Sequence, residues 1–162
     1  SENRYIKKKQ YEFDVERIGW RYHMSDIMAS IGIEQIKKLN QFKNKRQQLV
    51  KLYIKLLSNN SKISFLNYDI NQVCPHIFVI FIKSIFDRKK IKNFFEKKKI
   101  ELGFHWKPIH ELDIIKKNFK FSNLKNTQKI RKKIITLPLH VDLTFKEVAY
   151  ICKTLNAFIN ES

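Results

Sequence analysis

Hydrophobic residues near the start of the chain recur at the spacing of an amphipathic helix. Ser25 is predicted to be its N-cap, and Asp26 suits the positive end of the helix dipole. The apolar positions that define this helix are Ile27, Met28, Ile31, Ile36 and Leu39. One side of it carries only the small residues Ala29, Ser30 and Gly32. Because a thin surface lets a neighbour approach closely, we expect this helix to be buried on more than one side.

A second amphipathic helix follows, and then a strand. The helical stripe consists of Leu49, Leu52, Tyr53, Leu56 and Leu57. The polar stretch 59–61 is expected to end this helix. Residues 77–82 form a continuous apolar run with the length of a buried strand.

The remainder of the chain alternates between the two patterns. Asp87 is predicted to cap a third helix, with Phe86 and Ile91 as a hydrophobic staple and Phe94 and Phe95 on its buried face. Strands are predicted at Ile100–Trp106 and Ile134–Leu137, with a short helix near 126–133 between them. Thr144 and Glu147 have the spacing of a capping box for the last helix. The expected core stripe of that helix is Phe145, Val148, Cys152, Leu155 and Ile159. This order predicts an α/β domain in which helices cover a small sheet.

The stretch after Ile100 contains the strongest candidate for a binding site. Period-2 alternation places His105 and Lys107 on one face, beside Gly103, which would leave room for a ligand. Pro108 turns the chain, so that His110 can return toward the same side. The apolar residues on the opposite face are Ile100, Leu102, Phe104 and Trp106. The alternative is an ordinary edge strand with polar residues outward, and the pattern alone favours that alternative.

Charge and composition limit the classes of function that this chain can have. The formal net charge of +18 over 162 residues suggests a nucleic-acid-binding module. However, the lysines are spread along the whole chain, so solvated surface lysine is the better explanation. Cys74 and Cys152 are far apart, which fits a reducing cytoplasm. The histidines and cysteines lack metal-ligand spacing, and no glycine loop for phosphate is present. His76 and His140 lie near strand ends, where a lone histidine is usually structural or merely exposed.

A series of motifs, taken in order, resembles the C-terminal part of the DegT/StrS family of pyridoxal-phosphate-dependent sugar aminotransferases. The motifs are GWRYHMSD at 19–26, the helix IMASIGIEQI at 27–36, HIFV at 76–79, GFHWKPIH at 103–110 and TLPLH at 136–140. The resemblance extends over roughly residues 15 to 160. The GFHWKPIH form looks nearest to enzymes that aminate 4-keto sugar nucleotides for bacterial surface polysaccharides, including lipopolysaccharide.

The resemblance implies the C-terminal small domain of a fold type I transferase that acts as a cytoplasmic homodimer. Residues 1–24 would be a lead-in segment with a cofactor-facing loop, and residues 25–162 would be the small domain. The lysine that forms the Schiff base with pyridoxal 5'-phosphate would lie upstream, in a large domain that this chain lacks. No catalytic residue is therefore expected here. The reaction implied is transfer of an amino group from an amino acid, with glutamate as the expected donor, to a keto sugar nucleotide.

The resemblance also assigns the site residues. Arg21 occupies the position of a family asparagine that reaches the cofactor phosphate of the other subunit, and His23 occupies that of a family arginine. Both are expected to bind that phosphate, and His105, Lys107 and His110 are expected to line the substrate side. An alternative is a non-catalytic remnant that folds and serves only for dimerisation or binding.

Overall fold

The computed structural model describes residues 19–20, 22–83, 86–120 and 124–160. The expectations for residues 1–18 and for Arg21 therefore lie outside the described residues. The chain divides into two compact units between Lys37 and Lys38. None of the described helices is long and apolar enough to cross a membrane.

The first unit contains helix α1 (Asp26–Lys37). The Met28 N–H donates to Ser25 Oγ at 3.3 Å, which confirms Ser25 as the helix cap. The expectation that α1 is buried on more than one side is wrong for this chain, because none of its residues is buried. A Cβ added at Gly32 would meet nothing within 4 Å, so in the described part of the chain no other segment approaches the helix at this glycine.

The second unit contains every later element. Its helices are α2 (Leu39–Leu57), α3 (Arg88–Lys97), α4 (Asp113–Asn118), α5 (Lys125–Arg131) and α6 (Phe145–Asn160). Its strands are β1 (Ile63–Phe65), β2 (Phe78–Ile82) and β3 (Ile134–Leu137). Short 3-10 turns lie at Ile70–Gln72 and Ile109–Glu111. The sequence did not predict β1 or α4, because each is short and lies among polar residues.

The three strands form an antiparallel sheet in the order β1-β2-β3. In this register Phe78 is paired with Leu137, so the start of β2 lies beside the end of β3. Phe78, Ile80 and Ile82 of β2 are buried, and the residues between them are half-buried. The alternation identifies one face of the central strand as the core face.

Helices α2 and α6 pack against each other in the core. Their burial confirms most of the predicted stripes: Leu49, Tyr53, Leu57, Val148, Cys152, Leu155 and Ile159 are all buried. Leu56 was placed in the α2 stripe incorrectly, since it is exposed. Phe145 was placed in the core stripe incorrectly, since it is 48% exposed. It is the first residue of α6, and the Lys45 Nζ lies 4.4 Å from its ring centroid.

The other two capping predictions are confirmed. The Asp87 side chain accepts hydrogen bonds from the N–H groups of Lys89 and Lys90, which begins α3. In the capping box, the Thr144 N–H donates to Glu147 Oε2 at 2.7 Å and the Glu147 N–H donates to Thr144 Oγ1 at 3.2 Å. These donations satisfy N–H groups that a helix leaves unpaired at its first turn.

The predicted strand at Ile100–Trp106 is wrong. Only Gly103 pairs with the sheet, through an isolated bridge to Thr136 of β3. Leu102 is 7% exposed, as the alternation predicted, but Trp106 is 75% exposed and does not share the core face. The period-2 pattern fails beyond Gly103 because no further ladder of hydrogen bonds holds that backbone in the pleat.

Candidate functional site

A cavity of about 690 Å³ lies in the second unit, where β3 ends and α6 begins. Its apolar lining includes Ile100, Leu137, Leu143 and Ile151. Its polar and charged lining residues include His76, His105, His140, Lys98, Lys99, Glu101 and Glu147. A concave site with an apolar floor and a few converging polar groups is the usual form of a small-molecule site.

His105 reaches this cavity because of Gly103. The Gly103 N–H donates to the Thr136 carbonyl at 2.9 Å, and the Thr136 N–H donates to the Gly103 carbonyl at 2.8 Å. A Cβ at Gly103 would lie 2.7 Å from Nδ1 of His105 and 3.1 Å from Cβ of Thr136. The space that the sequence assigned to a ligand at this glycine is therefore filled by the His105 ring.

The His105 ring is held on two sides. Its Nδ1 lies 3.0 Å from Thr136 Oγ1, within hydrogen-bonding distance. Its centroid lies 4.4 Å from that of the Trp106 ring. Because Thr136 engages Nδ1, Nε2 is the ring nitrogen that can serve a ligand.

Lys107 and His110 are not brought together with His105. The cavity lining includes His105 but not these two residues. Lys107 is exposed, whereas the His110 side chain is only 13% exposed and its Nε2 lies 4.0 Å from Glu111 Oε1. The turn Ile109–Glu111 therefore directs His110 toward the protein, while the preceding residues face outward.

The sequence reading missed His76 and His140 as cavity residues. His76 precedes β2 by two positions and His140 follows β3 by three positions. Since β2 and β3 are antiparallel, the start of one lies beside the end of the other. The position of these two histidines at the ends of two predicted strands was the signal in the sequence that could have placed them in one cavity.

One acidic group of the lining already has a structural role. The pKa of the Glu147 carboxyl is lowered below its usual value by the hydrogen bonds from the Thr144 N–H and hydroxyl. Glu147 is therefore negative at neutral pH, and its carboxylate is already hydrogen-bonded to Thr144 at the start of α6. Of the described residues, no three His, Cys, Asp or Glu side chains gather as metal ligands would.

In the first unit, the loop before α1 presents its side chains outward. Trp20 and Tyr22 are each 86% exposed, Met24 is 72% exposed, and His23 is also exposed. An exposed imidazole suits contact with a phosphate group, but none of the described residues around it is buried. The assignment of His23 to a cofactor phosphate therefore stays a prediction.

Comparison with known proteins identifies the family. The family model described as the DegT/DnrJ/EryC1/StrS aminotransferase family matches residues 2–156. The chain belongs to this family. Its aminotransferases depend on pyridoxal phosphate, as the resemblance of the motifs implied.

Individual relatives of this DegT-family chain are considerably longer. The UDP-4-amino-4,6-dideoxy-N-acetyl-beta-L-altrosamine transaminase of Campylobacter jejuni is 25% identical over 159 residues, which cover 96% of this chain and 42% of the relative. The PLP-form structure of the putative sugar aminotransferase Spr1654 from Streptococcus pneumoniae matches with a TM-score of 0.84 and 26% identity. That match covers 93% of this chain and 40% of Spr1654.

A third match supports the fold alone. Helicobacter pylori PseC, described as an aminotransferase involved in the biosynthesis of pseudoaminic acid, has a TM-score of 0.84 at 22% identity. The match covers 97% of this chain and 43% of PseC. The expected fold, part of a pyridoxal-phosphate-dependent transferase with helices around a small sheet, is confirmed. The chain spans about two-fifths of the length of these relatives.

Proposed function

We propose that this chain is the C-terminal, substrate-shaping part of a pyridoxal-phosphate-dependent sugar aminotransferase. The family match over residues 2–156 carries this proposal. The reaction moves an amino group from an amino acid, with glutamate as the donor, to the ketone of a sugar nucleotide. The C. jejuni relative is named as a transaminase of a UDP-linked amino sugar. That name supports a 4-keto sugar nucleotide as substrate and bacterial surface polysaccharide as the destination.

The cofactor supplies the electron-withdrawing ring on which amino-group transfer depends. The chain's own residues bind and orient the substrate. His105, whose Nδ1 is engaged by Thr136, presents Nε2 to a sugar hydroxyl or phosphate oxygen in the cavity. Lys107, exposed at the edge of the same segment, meets the diphosphate. His110, within the turn Ile109–Glu111, completes the substrate side.

Arg21 and His23 serve the cofactor across a homodimer. A guanidinium can bind two phosphate oxygens at once, so Arg21 suits the position of the family's asparagine. The exposure of Trp20, Tyr22 and His23 supports a contact with a group held by another subunit. The enzyme acts in the cytoplasm, where its sugar-nucleotide substrates are made.

The decisive experiment joins this chain to a family large domain and follows the two half-reactions by cofactor absorbance. Glutamate should convert the cofactor of the joined protein to its aminated form, and a UDP-linked 4-keto sugar should convert it back. The chain alone should carry out neither half-reaction. A control joins the same large domain to a chain that carries His105→Ala, which should retain the glutamate step and weaken the sugar step. Failure of the joined protein in both steps, with cofactor bound, would leave the non-catalytic dimerisation module as the better description.

A further inference from the structure

The segment that carries His105, Lys107 and His110 has little packing of its own. Beyond the Gly103 bridge it makes no strand pairing among the described residues. Trp106 is 75% exposed and Ile109 is 70% exposed. Phe104 packs against the core at the start of the segment, but the exposed residues after it gain little from apolar burial, so polar contacts must help to hold them in place.

Two arginines hold the two ends of this segment. At its start, the Arg88 guanidinium lies over the Phe104 ring, with Cζ 5.2 Å from the ring centroid. At its end, the Arg131 guanidinium donates to Glu111 Oε2 in an ion pair. The arginines are also linked to each other, since Arg88 Nη2 donates to the Arg131 backbone carbonyl. The resulting chain of contacts is Phe104–Arg88–Arg131–Glu111.

The contacts come from rigid elements. Arg88 is the first residue of α3 and Arg131 is the last residue of α5. The carbonyl that Arg88 binds lies at the negative end of the α5 dipole, where a cation is favoured. The Glu111 side chain is 18% exposed and that of Arg131 is 33% exposed, so solvent weakens this ion pair less than it would weaken a fully exposed one.

The charge of Glu111 opposes an electrostatic cost at the two arginines. The pKa of Arg88 is lowered by burial and by the nearby charge of Arg131, while Glu111 acts in the opposite direction. Glu111 thus offsets the repulsion between two guanidinium groups that share one small region. Without its charge, the two arginines would repel each other and the end of the segment would lose its anchor.

We propose that Arg88, Arg131 and Glu111 form a clamp that fixes residues 104–111, with Glu111 as a positioning residue for sugar-nucleotide binding. This inference rests on the proposed function, in which His105 and Lys107 contact the substrate. Glu111 itself touches no substrate. It acts by holding the segment so that His105 stays on Thr136 and faces the cavity.

The first test measures amide hydrogen exchange in the 162-residue chain, where no cofactor or substrate is needed. Glu111→Gln keeps the shape of the side chain and removes its charge. The amides of residues 111 and 112 donate to the carbonyls of Pro108 and Ile109, and loss of a charge-assisted contact should speed their exchange by roughly tenfold. Glu96→Gln is the matched control, because Glu96 forms an exposed ion pair with Lys92 at 3.4 Å and should change this segment little. Equal exchange in the two variants would overturn the clamp.

A second variant covers the case in which Glu111→Gln loosens the whole chain. Glu111→Asp keeps the carboxylate at shorter reach and should restore part of the protection at amides 111 and 112. Faster exchange spread evenly over the sheet and helices in both variants would show a global effect and refute a local clamp.

The kinetic test uses the protein joined to a large domain. Glu111→Gln should raise the sugar-nucleotide KM about fivefold to tenfold and leave the glutamate half-reaction within about twofold, with Glu111→Asp in between. In one outcome Glu111→Gln speeds amide exchange but leaves the sugar-nucleotide KM unchanged, whereas His105→Ala and Lys107→Met raise this KM. Glu111 then does not position the substrate residues. If His105→Ala and Lys107→Met leave the KM unchanged, the proposed substrate role of the segment fails, and the exchange data still judge the clamp.

Discussion

Tyr53 offers the sharpest test of how the cavity wall is supported. The side chain is fully buried in α2, and its hydroxyl donates to the Pro138 carbonyl at 2.9 Å. Pro138 lines the cavity, so this hydrogen bond ties the cavity to the core. Tyr53→Phe removes the hydroxyl and keeps the ring, which is stacked on Phe78 with centroids 5.0 Å apart.

The expected cost can be worked out at two pH values. At pH 8, losing the hydroxyl and leaving the Pro138 carbonyl without its donor should lower the free energy of unfolding by about 1–2 kcal/mol. Burial, and secondarily the charge of the Cys152 thiolate, raises the pKa of Tyr53 above its usual value. A raised folded-state pKa means that the stabilisation is complete below the unfolded-state pKa, near 10, and is lost as the pH rises above it.

At pH 11 the unfolded wild-type chain gains about 1.4 kcal/mol from ionising this tyrosine, and the Tyr53→Phe variant gains nothing there. The difference between the two proteins should therefore shrink to near zero at pH 11. Burial also raises the pKa of Cys152, to about 12, but this thiol is present in both proteins and largely cancels.

The assay is urea unfolding followed by circular dichroism between pH 8 and pH 11. Tyr68→Phe is the control, since Tyr68 is 41% exposed and its substitution should change stability by less than about 0.5 kcal/mol. A stability difference between wild type and Tyr53→Phe that stays constant across this range would refute the argument. No difference at pH 8 would show that the Pro138 carbonyl does not depend on Tyr53.

Three further predictions follow from the candidate site and the exposed helix. Lys107→Met in the joined protein keeps the apolar stem and removes only the charge, so it should raise the sugar-nucleotide KM severalfold and spare the glutamate half-reaction. Equal damage to both half-reactions would indicate a collapsed site. The chain alone, reduced with borohydride in the presence of pyridoxal phosphate, should give scattered lysine adducts, and one stoichiometric adduct with activity would contradict this. Sedimentation should show self-association through α1, where Ile27 is 73% and Ile31 is 52% exposed; Ile31→Asp should reduce it, and a strict monomer at high concentration would count against this interface.

Short-range chemistry made much of the fold predictable. The caps at Asp87 and Thr144 depend on side chains that bind backbone N–H groups two or three residues away. The core stripe of α2, with Tyr53 among its buried residues, follows from helical periodicity. The order of motifs also indicated the family, because each motif lies within a few consecutive residues.

The chemistry of the segment after Gly103 was not predictable in the same way. Alternation assumed that a strand would continue to Trp106, but a strand persists only where a partner supplies hydrogen bonds. Here the partner is Thr136, and the pairing ends at Gly103. The direction of the His105 ring then depends on the Thr136 hydroxyl, which is 31 positions away in the sequence.

Local pattern was thus sufficient for the helices other than α4, for their predicted caps, for the central and third strands and for the family, since each depends on neighbours along the chain. Tertiary structure alone decided which histidines share a cavity, because antiparallel pairing brings His76 and His140 together from distant positions. It also decided that Glu111 lies against Arg131 of α5. Contacts between residues far apart in sequence depend on how the whole chain packs, and no local period records them.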